Sequence, residues 1–207
     1  MVDVLVLILC AVVPAIVLHE VAHGFVAYCL GDSTAKDRGR LTLNPLKHID
    51  PVGSFLVPGG LFLAHYFGLT RSLVLFGWAK PVPVDFRRLK PRRLGMILVA
   101  VAGPLVNVIL AWVLIQIYKS PLLPEISYAL GWGILLNLTL AVFNLMPIPP
   151  LDGSRIVMGL LPAPWAYQYS RLEAFGLVIV IVLLQLGMLQ FLYPLISWLG
   201  DLLGIHL

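Results

Sequence analysis

The sequence predicts an all-α polytopic membrane protein. It has about four full transmembrane helices, a re-entrant or short fifth hydrophobic segment, and short extended or β segments on the cytoplasmic side. Three observations predict this. Of the 207 residues, 60% are hydrophobic and 12% charged, against about 45–50% and about 25% in a soluble domain. Mean hydropathy is +0.96, and four stretches reach the ~20 residues that cross a hydrocarbon core of ~30 Å. Eleven of the fourteen Lys and Arg fall in residues 31–50 and 71–93, the distribution of cytoplasmic loops between spans.

The same numbers exclude other classes. With 16 Pro and 18 Gly but no repeat, the chain is neither collagen-like nor disordered. The pI of 9.2 could indicate nucleic acid, but blocks of positive charge flanking apolar spans face the lipid surface instead, so the bilayer is a partner and nucleic acid is not. Cys10 and Cys29 are too few for a disulfide scaffold, and on one straight helix they stand ~28 Å apart, so both read as apolar filler.

The first span is Val4–Leu30. It lacks the positive leader and small-residue cleavage site of a signal peptide and is expected to be retained. Residues Leu94–Tyr118, Ile126–Leu151 and Ala174–Gly200 form three further spans without a charged residue. Pro51–Thr70 is also apolar but is interrupted by Pro58-Gly59-Gly60 and flanked by both basic blocks. A true crossing would put those blocks on opposite faces, so residues 51–77 read as a re-entrant hairpin. Four crossings then place Met1 and the C-terminus outside, residues 31–93 and Gly153–Glu173 in the cytoplasm, and Lys119–Glu125 in an external turn. The stretches 39–43 and 80–84 have the β-branched, Pro-interrupted composition of edge strands or extended segments.

Within the first span stands His19-Glu20-Val21-Ala22-His23. The i, i+4 spacing puts both imidazoles on one helix face, able to hold one zinc ion, with the intervening carboxylate near a metal-activated water. Given 5 His and 3 Glu, H-E-x-x-H arises by chance in about two of a thousand such chains. Ionisable groups inside a membrane are costly unless compensated, which favours a ligand or water there over a merely hydrogen-bonded patch. Two histidines leave zinc short of a third protein ligand. Asp152 is the candidate, because Pro147, Pro149 and Pro150 unwind the end of the third span and let a carboxylate turn inward. His19 and His23 lie ~17 and ~10 Å from the cytoplasmic end of their helix, the same side of mid-membrane as Asp152.

These residues resemble the site-2 protease family of intramembrane zinc metalloproteases. H-E-x-x-H in the first span, Gly103-Pro104-Leu105-Val106-Asn107 in the second, and Asn144-x-x-Pro147 running to Leu151-Asp152-Gly153 in the third match its three signatures in order, over about residues 10–160. Gly39-Arg40-Leu41-Thr42-Leu43-Asn44-Pro45 and Gly77-Trp78-Ala79-Lys80-Pro81-Val82-Pro83-Val84 resemble its compact prokaryotic branch, without PDZ or CBS domains. The resemblance implies one zinc per chain on His19, His23 and Asp152, Glu20 as general base, and Asn144 positioning the substrate carbonyl or its oxyanion. It further implies regulated intramembrane proteolysis of a transmembrane protein substrate, in a prokaryotic cell membrane, at a site toward the cytoplasm. The whole chain, 1–207, then reads as a single integral-membrane metalloprotease domain, with a catalytic core of about 4–160 and a C-terminal helix of about 174–200.

Several residues have a plainer reading. Asn144 reads equally well as an interhelical hydrogen-bonding residue, and Gly103-Pro104 and Asn107 as shaping the second helix. His48 reads as solvated rather than as a partner behind the metal ligands, and His65 is unassigned. An unwound substrate could pair with residues 80–84 or 40–43 by strand addition. A metal or proton transporter would also explain ionisable groups in the membrane, but the halves of the chain share no repeat. A non-catalytic membrane binding protein would have no use for Glu20. Nothing in the sequence specifies an oligomeric state.

Overall fold

The computed structural model describes residues 2–69, 77–120 and 126–206, with residues 2–10 described by backbone alone. Most of the described residues are helical, and none of them is in a strand. Three helices meet the length and hydropathy of a membrane span: α1 (Val2–Cys29), through its Ala11–Cys29 portion, α4 (Arg92–Tyr118) and α5 (Ser127–Asn144). They pack on one another to form the centre of the molecule. The buried faces are rich in small residues, among them Ala15 and Ala27 of α1, Ala100, Ala102 and Ala111 of α4, and Ala141 of α5. Small side chains let helix backbones approach closely where lipid offers no hydrophobic drive to associate. Large apolar side chains such as Phe25, Leu105, Ile109, Trp112 and Trp132 point outward, the inverse of a soluble bundle.

Between α1 and α4 lie a short α2 (Thr34–Asp37), a 3₁₀ turn at Pro45–His48, a π turn at Val52–Leu56 and α3 (Val57–Tyr66). Pro58 has no N–H to give Ser54, and the turn before it opens to the wider π spacing, with Val57 N–H bonding to Val52 O. The 10 residues of α3 reach ~15 Å, half a hydrocarbon core. Trp78 N–H donates to Gly53 O at 3.2 Å and Ser54 Oγ–H to Trp78 O at 3.3 Å. The chain is therefore back at its starting level by Trp78, as the re-entrant reading expects, although residues 70–76 of that segment lie outside those described.

The expected edge strands form no ladder among the described residues. Pro81 and Pro83 remove alternate amides from segment 80–84, and the amide left between them, Val82, is taken by a side chain. The segment is instead pinned individually to its neighbours: Lys80 N–H to His48 O at 2.8 Å, Asp85 N–H to Asp32 Oδ2 at 2.6 Å, and Lys90 N–H to Leu30 O at 3.0 Å. Beyond it, the Arg87 guanidinium bonds Asp85 and holds its carboxyl below the usual carboxylate range.

The third span ends sooner than expected, at Asn144, because the prolines at 147, 149 and 150 cannot continue it. The chain then turns and starts α6 (Asp152–Leu160), with Asp152 as its first residue. Next come α7 (Ala163–Ser170) and α8 (Glu173–Gln185), bent by 60° from one another, and α9 (Met188–Leu203). The expected fourth span is thus divided. Gly187, at φ +86°, separates α8 of 13 residues from α9 of 16, each shorter than a crossing requires. Together they still run the height of the bundle. Gly176 of α8 lies against Pro149 and Pro150, and Gly204, just past α9, lies against Lys119 Nζ at the far end of α4. Val180, Leu184, Met188, Leu192 and Ile196 pack along this path with Ile134, Leu138 and Val142 of α5. The proposed external turn at 119–125 falls largely outside the described residues. Cys29 is exposed with a free thiol rather than packed as filler, and the side chain of Cys10 is outside those described.

Candidate metal centre

Three side chains from two ends of the sequence converge where α1, α4 and the start of α6 meet. His19 and His23 are one turn apart on α1, and their Nε2 atoms are 3.0 Å from each other. Asp152 Oδ2 lies 3.1 Å from His19 Nε2 and 3.3 Å from His23 Nε2. Among the described residues this is the group of His, Cys, Asp or Glu with the geometry to hold a metal ion. Helix α1 supplies the imidazoles by its period. The proline-broken connection supplies the carboxylate, held in place by Tyr169 O–H donating to Pro147 O at 2.6 Å and by the seating of Gly176 on Pro149.

The outer nitrogens decide the protonation of the inner ones. His23 Nδ1 is 2.7 Å from Val99 O, and a carbonyl only accepts, so that Nδ1 carries the proton. His19 Nδ1 is 2.6 Å from Asn107 Oδ1. The Asn107 amide is oriented by its Nδ2, which donates to Asn137 Oδ1 at 2.9 Å and Ala15 O at 3.3 Å. Asn137 Nδ2 in turn donates to Gly133 O at 2.8 Å. Oδ1 of Asn107 is therefore the acceptor, and His19 Nδ1 is a donor too. In the neutral imidazoles both Nε2 atoms present lone pairs to each other and to a carboxylate. Such a triangle repels itself unless a proton or a metal cation sits in it.

The dimensions fit zinc. Donors bound tetrahedrally at about 2.0–2.1 Å stand ~3.3 Å apart, close to the observed separations. A nitrogen, nitrogen and oxygen set is also the ligand chemistry of a zinc site with an open fourth position. Room for it is kept by Gly103 of α4, where a Cβ would stand 2.5 Å from His23 Nε2 and 2.6 Å from His19 Nε2. Glu20, between the two histidines, is half-buried, and its Oε2 accepts from Val82 N–H at 2.8 Å.

The structure brings His19, His23 and Asp152 into one cluster with Glu20 on the same helix. Asn144 is spent elsewhere, its Nδ2 donating to Leu140 O of its own helix at 2.9 Å. His48 is buried at 3% exposure rather than solvated, because its Nε2 donates to Thr42 O at 2.9 Å inside the 42–54 turn. Asn107 does more than shape α4, since it orients a histidine of the cluster. Sequence reasoning missed Asn137, Val99 and Val82. For Asn137 a signal existed, since an amide in an apolar span needs a partner. For the backbone groups of Val99 and Val82 there was none.

Residues 114–187, which include Asn144 and Asp152, match the profile of peptidase family M50. The chain is 42% identical over 177 residues to a Bacillus subtilis protein named "Putative zinc metalloprotease YwhC", covering 80% of this chain and 74% of that one. Rip2 of Mycolicibacterium smegmatis, named in the same way, is 30% identical over 210 residues, 99% of this chain and 76% of that protein. The zinc metalloprotease MJ0392 of Methanocaldococcus jannaschii is 35% identical over 106 residues, 46% of this chain and 29% of its own. No solved structure matches.

Proposed function

From the premise that this chain belongs to peptidase family M50, the family of the site-2 zinc metalloproteases, we propose that it hydrolyses peptide bonds in or near the transmembrane segments of membrane proteins. It is an integral membrane protein of zinc metalloprotease type. The observation that carries the finer reading is the pair of Nε2 atoms, 3.0 Å apart and facing one carboxylate oxygen.

In this reading His19, His23 and Asp152 hold one zinc ion per chain. When bound, zinc supplies Lewis-acid activation of a water and of the substrate carbonyl. Asn107 and Val99 keep both imidazoles in the tautomer that offers Nε2 to the metal. Glu20 is the general base: its carboxylate takes a proton from the attacking water and returns it to the leaving amine. The Val82 N–H fixes which carboxylate oxygen is occupied and leaves Oε1 for that proton. Asn144 sits at the end of α5, and once its amide leaves the Leu140 carbonyl it donates to the substrate oxygen. A helical substrate shields its own peptide bonds, so it unwinds locally and lies along residues 80–84 or 40–43. The site faces the cytoplasmic side, the side of the basic blocks, and its role is regulated intramembrane proteolysis in a prokaryotic cell membrane. The whole chain, 1–207, acts as one metalloprotease domain.

The test is cleavage of a transmembrane substrate in detergent by the wild type and by Glu20→Gln. The variant is expected to keep its zinc and lose about 10²–10⁴-fold in rate. Cleavage at the wild-type rate, or zinc lost as fully as in His23→Ala, removes Glu20 as the base and favours a binding or transport role for the same cluster.

A further inference from the structure

Segment 80–84 borders more than the metal cluster. A cavity of about 280 Å³ is lined by Arg38, Arg40, Lys80, Pro81 and Pro83. Pro81 and Pro83 face it, while Val82 between them turns its side chain to Gly24 of α1. Arg38 and Lys80 are exposed at its mouth, whereas Arg40 is 9% exposed. The Arg40 Nη2 donates to the carbonyls of Lys80 at 2.7 Å and Pro81 at 3.5 Å, and its Nε is buried without a partner.

Carbonyls fix a guanidinium in place but do not neutralise it. The Lys and Arg ion pairs among the described residues are Arg87 and Arg88 with Asp85, and Arg155 with Glu173. None involves Arg38, Arg40 or Lys80. Three cationic residues therefore line one cavity whose lining includes no acidic residue, none of them ion-paired among the described residues, and an enclosed guanidinium without a counter-charge is costly. An anion is the group that would neutralise it.

We propose that this cavity is a phosphate-binding site. The cations approach from the α2 end of the chain and from segment 80–84, so they ask for acceptor oxygens in several directions. A tetrahedral phosphate supplies these, while a carboxylate offers its two oxygens in one plane. The cavity also belongs to the basic region that reads as facing the membrane surface, where lipid phosphodiesters and free phosphate share this chemistry. The proposal does not rest on the protease reading, although its cavity shares segment 80–84 with the substrate path proposed there.

The full-length, zinc-loaded protein in detergent is titrated with inorganic phosphate by calorimetry. The same protein is passed through mixed phosphatidylglycerol and phosphatidylcholine nanodiscs, and retained lipid is counted by native mass spectrometry. Retention of one phosphatidylglycerol, displaced by added phosphate, identifies a headgroup site. Phosphate binding without lipid retention identifies free phosphate, and either result supports the proposal. Arg38→Gln/Lys80→Gln, both exposed positions, weakens binding by about tenfold or more, since each removes a charge-assisted bond. If the double variant does not fold, Lys80→Gln alone gives the same reading. Absence of binding of both probes, binding unchanged in these variants, or binding of an acidic peptide but not of phosphate overturns the proposal.

Discussion

Asn107 Oδ1 accepts the Nδ1 proton of His19 at 2.6 Å, across 88 residues of sequence and from one spanning helix to another. Every other hydrogen-bonding atom of that amide is also committed, to Asn137 and to Ala15. The chain from Gly133 through Asn137 and Asn107 to His19 is thus a single oriented relay of side-chain amides, and the tautomer of His19 follows from its direction. Outer partners of this kind are commonly worth 10–100-fold in metal affinity. Asn107→Ala is expected to weaken zinc by about that factor, read by competition with a chelator. Unchanged zinc affinity would mean that His19 keeps its tautomer without help.

Gly103 permits a cleaner separation of fold from metal. In an exposed helix interior, replacing Gly by Ala would stabilise by ~1 kcal/mol, yet here the added Cβ stands 2.5 Å from His23 Nε2. Gly103→Ala is expected to keep its helicity and insertion while losing stoichiometric zinc. Metal analysis beside circular dichroism checks both halves. Full zinc occupancy in a folded variant would show that α4 can move away from α1 without disturbing the cluster.

How much of this was legible in the sequence depends on which force sets each feature. The spans of α1, α4 and α5 were legible because hydropathy over ~20 residues is a property of the sequence itself. His19 and His23 were legible because a helical period needs no tertiary knowledge. Asp152 was legible only because three prolines announced a broken helix end beside a lone carboxylate. The break at Gly187 was not, since a glycine among apolar residues looks the same whether its φ is negative or, as here, +86°. Nor was the burial of His48, which depends on the carbonyl of Thr42 closing a turn six residues earlier. The role of Val82 was hidden most fully, because an amide proton carries no residue-type signature.

The path of α8 and α9 bears on topology. With Gly176 at the level of Pro149 and Gly204 at the level of Lys119, the pair traverses the bundle as one bent span, and residues 51–69 with Trp78 return to their starting level. Counted as one span beside α1, α4 and α5, this path makes four crossings, and on that count Met1 and Leu207 are expected on the same, non-cytoplasmic face. Terminal reporter fusions decide it. Opposite faces would make the segment from Pro51 a true crossing.

The last expectation isolates the contact between Glu20 and segment 80–84. Val82→Pro deletes the N–H that Glu20 Oε2 accepts at 2.8 Å, in a stretch whose neighbours are already proline, while His19, His23 and Asp152 are untouched. Val82 is also 7% exposed, so the substitution changes packing, and Val82→Ala serves as the comparison because it trims the side chain but keeps the N–H. A hydrogen bond to a charged group contributes about 1.5–3 kcal/mol, so a carboxylate freed of it has more orientations than the one aimed at the attacking water. Relative to Val82→Ala, Val82→Pro is expected to lower kcat/KM by about tenfold or more while zinc content stays level. Combining it with Glu20→Gln should add little, because the amide that remains no longer takes the proton whose transfer the contact serves. Equal rates for Val82→Pro and Val82→Ala would make that contact a packing detail, and Glu20 would then take its aim from α1 alone.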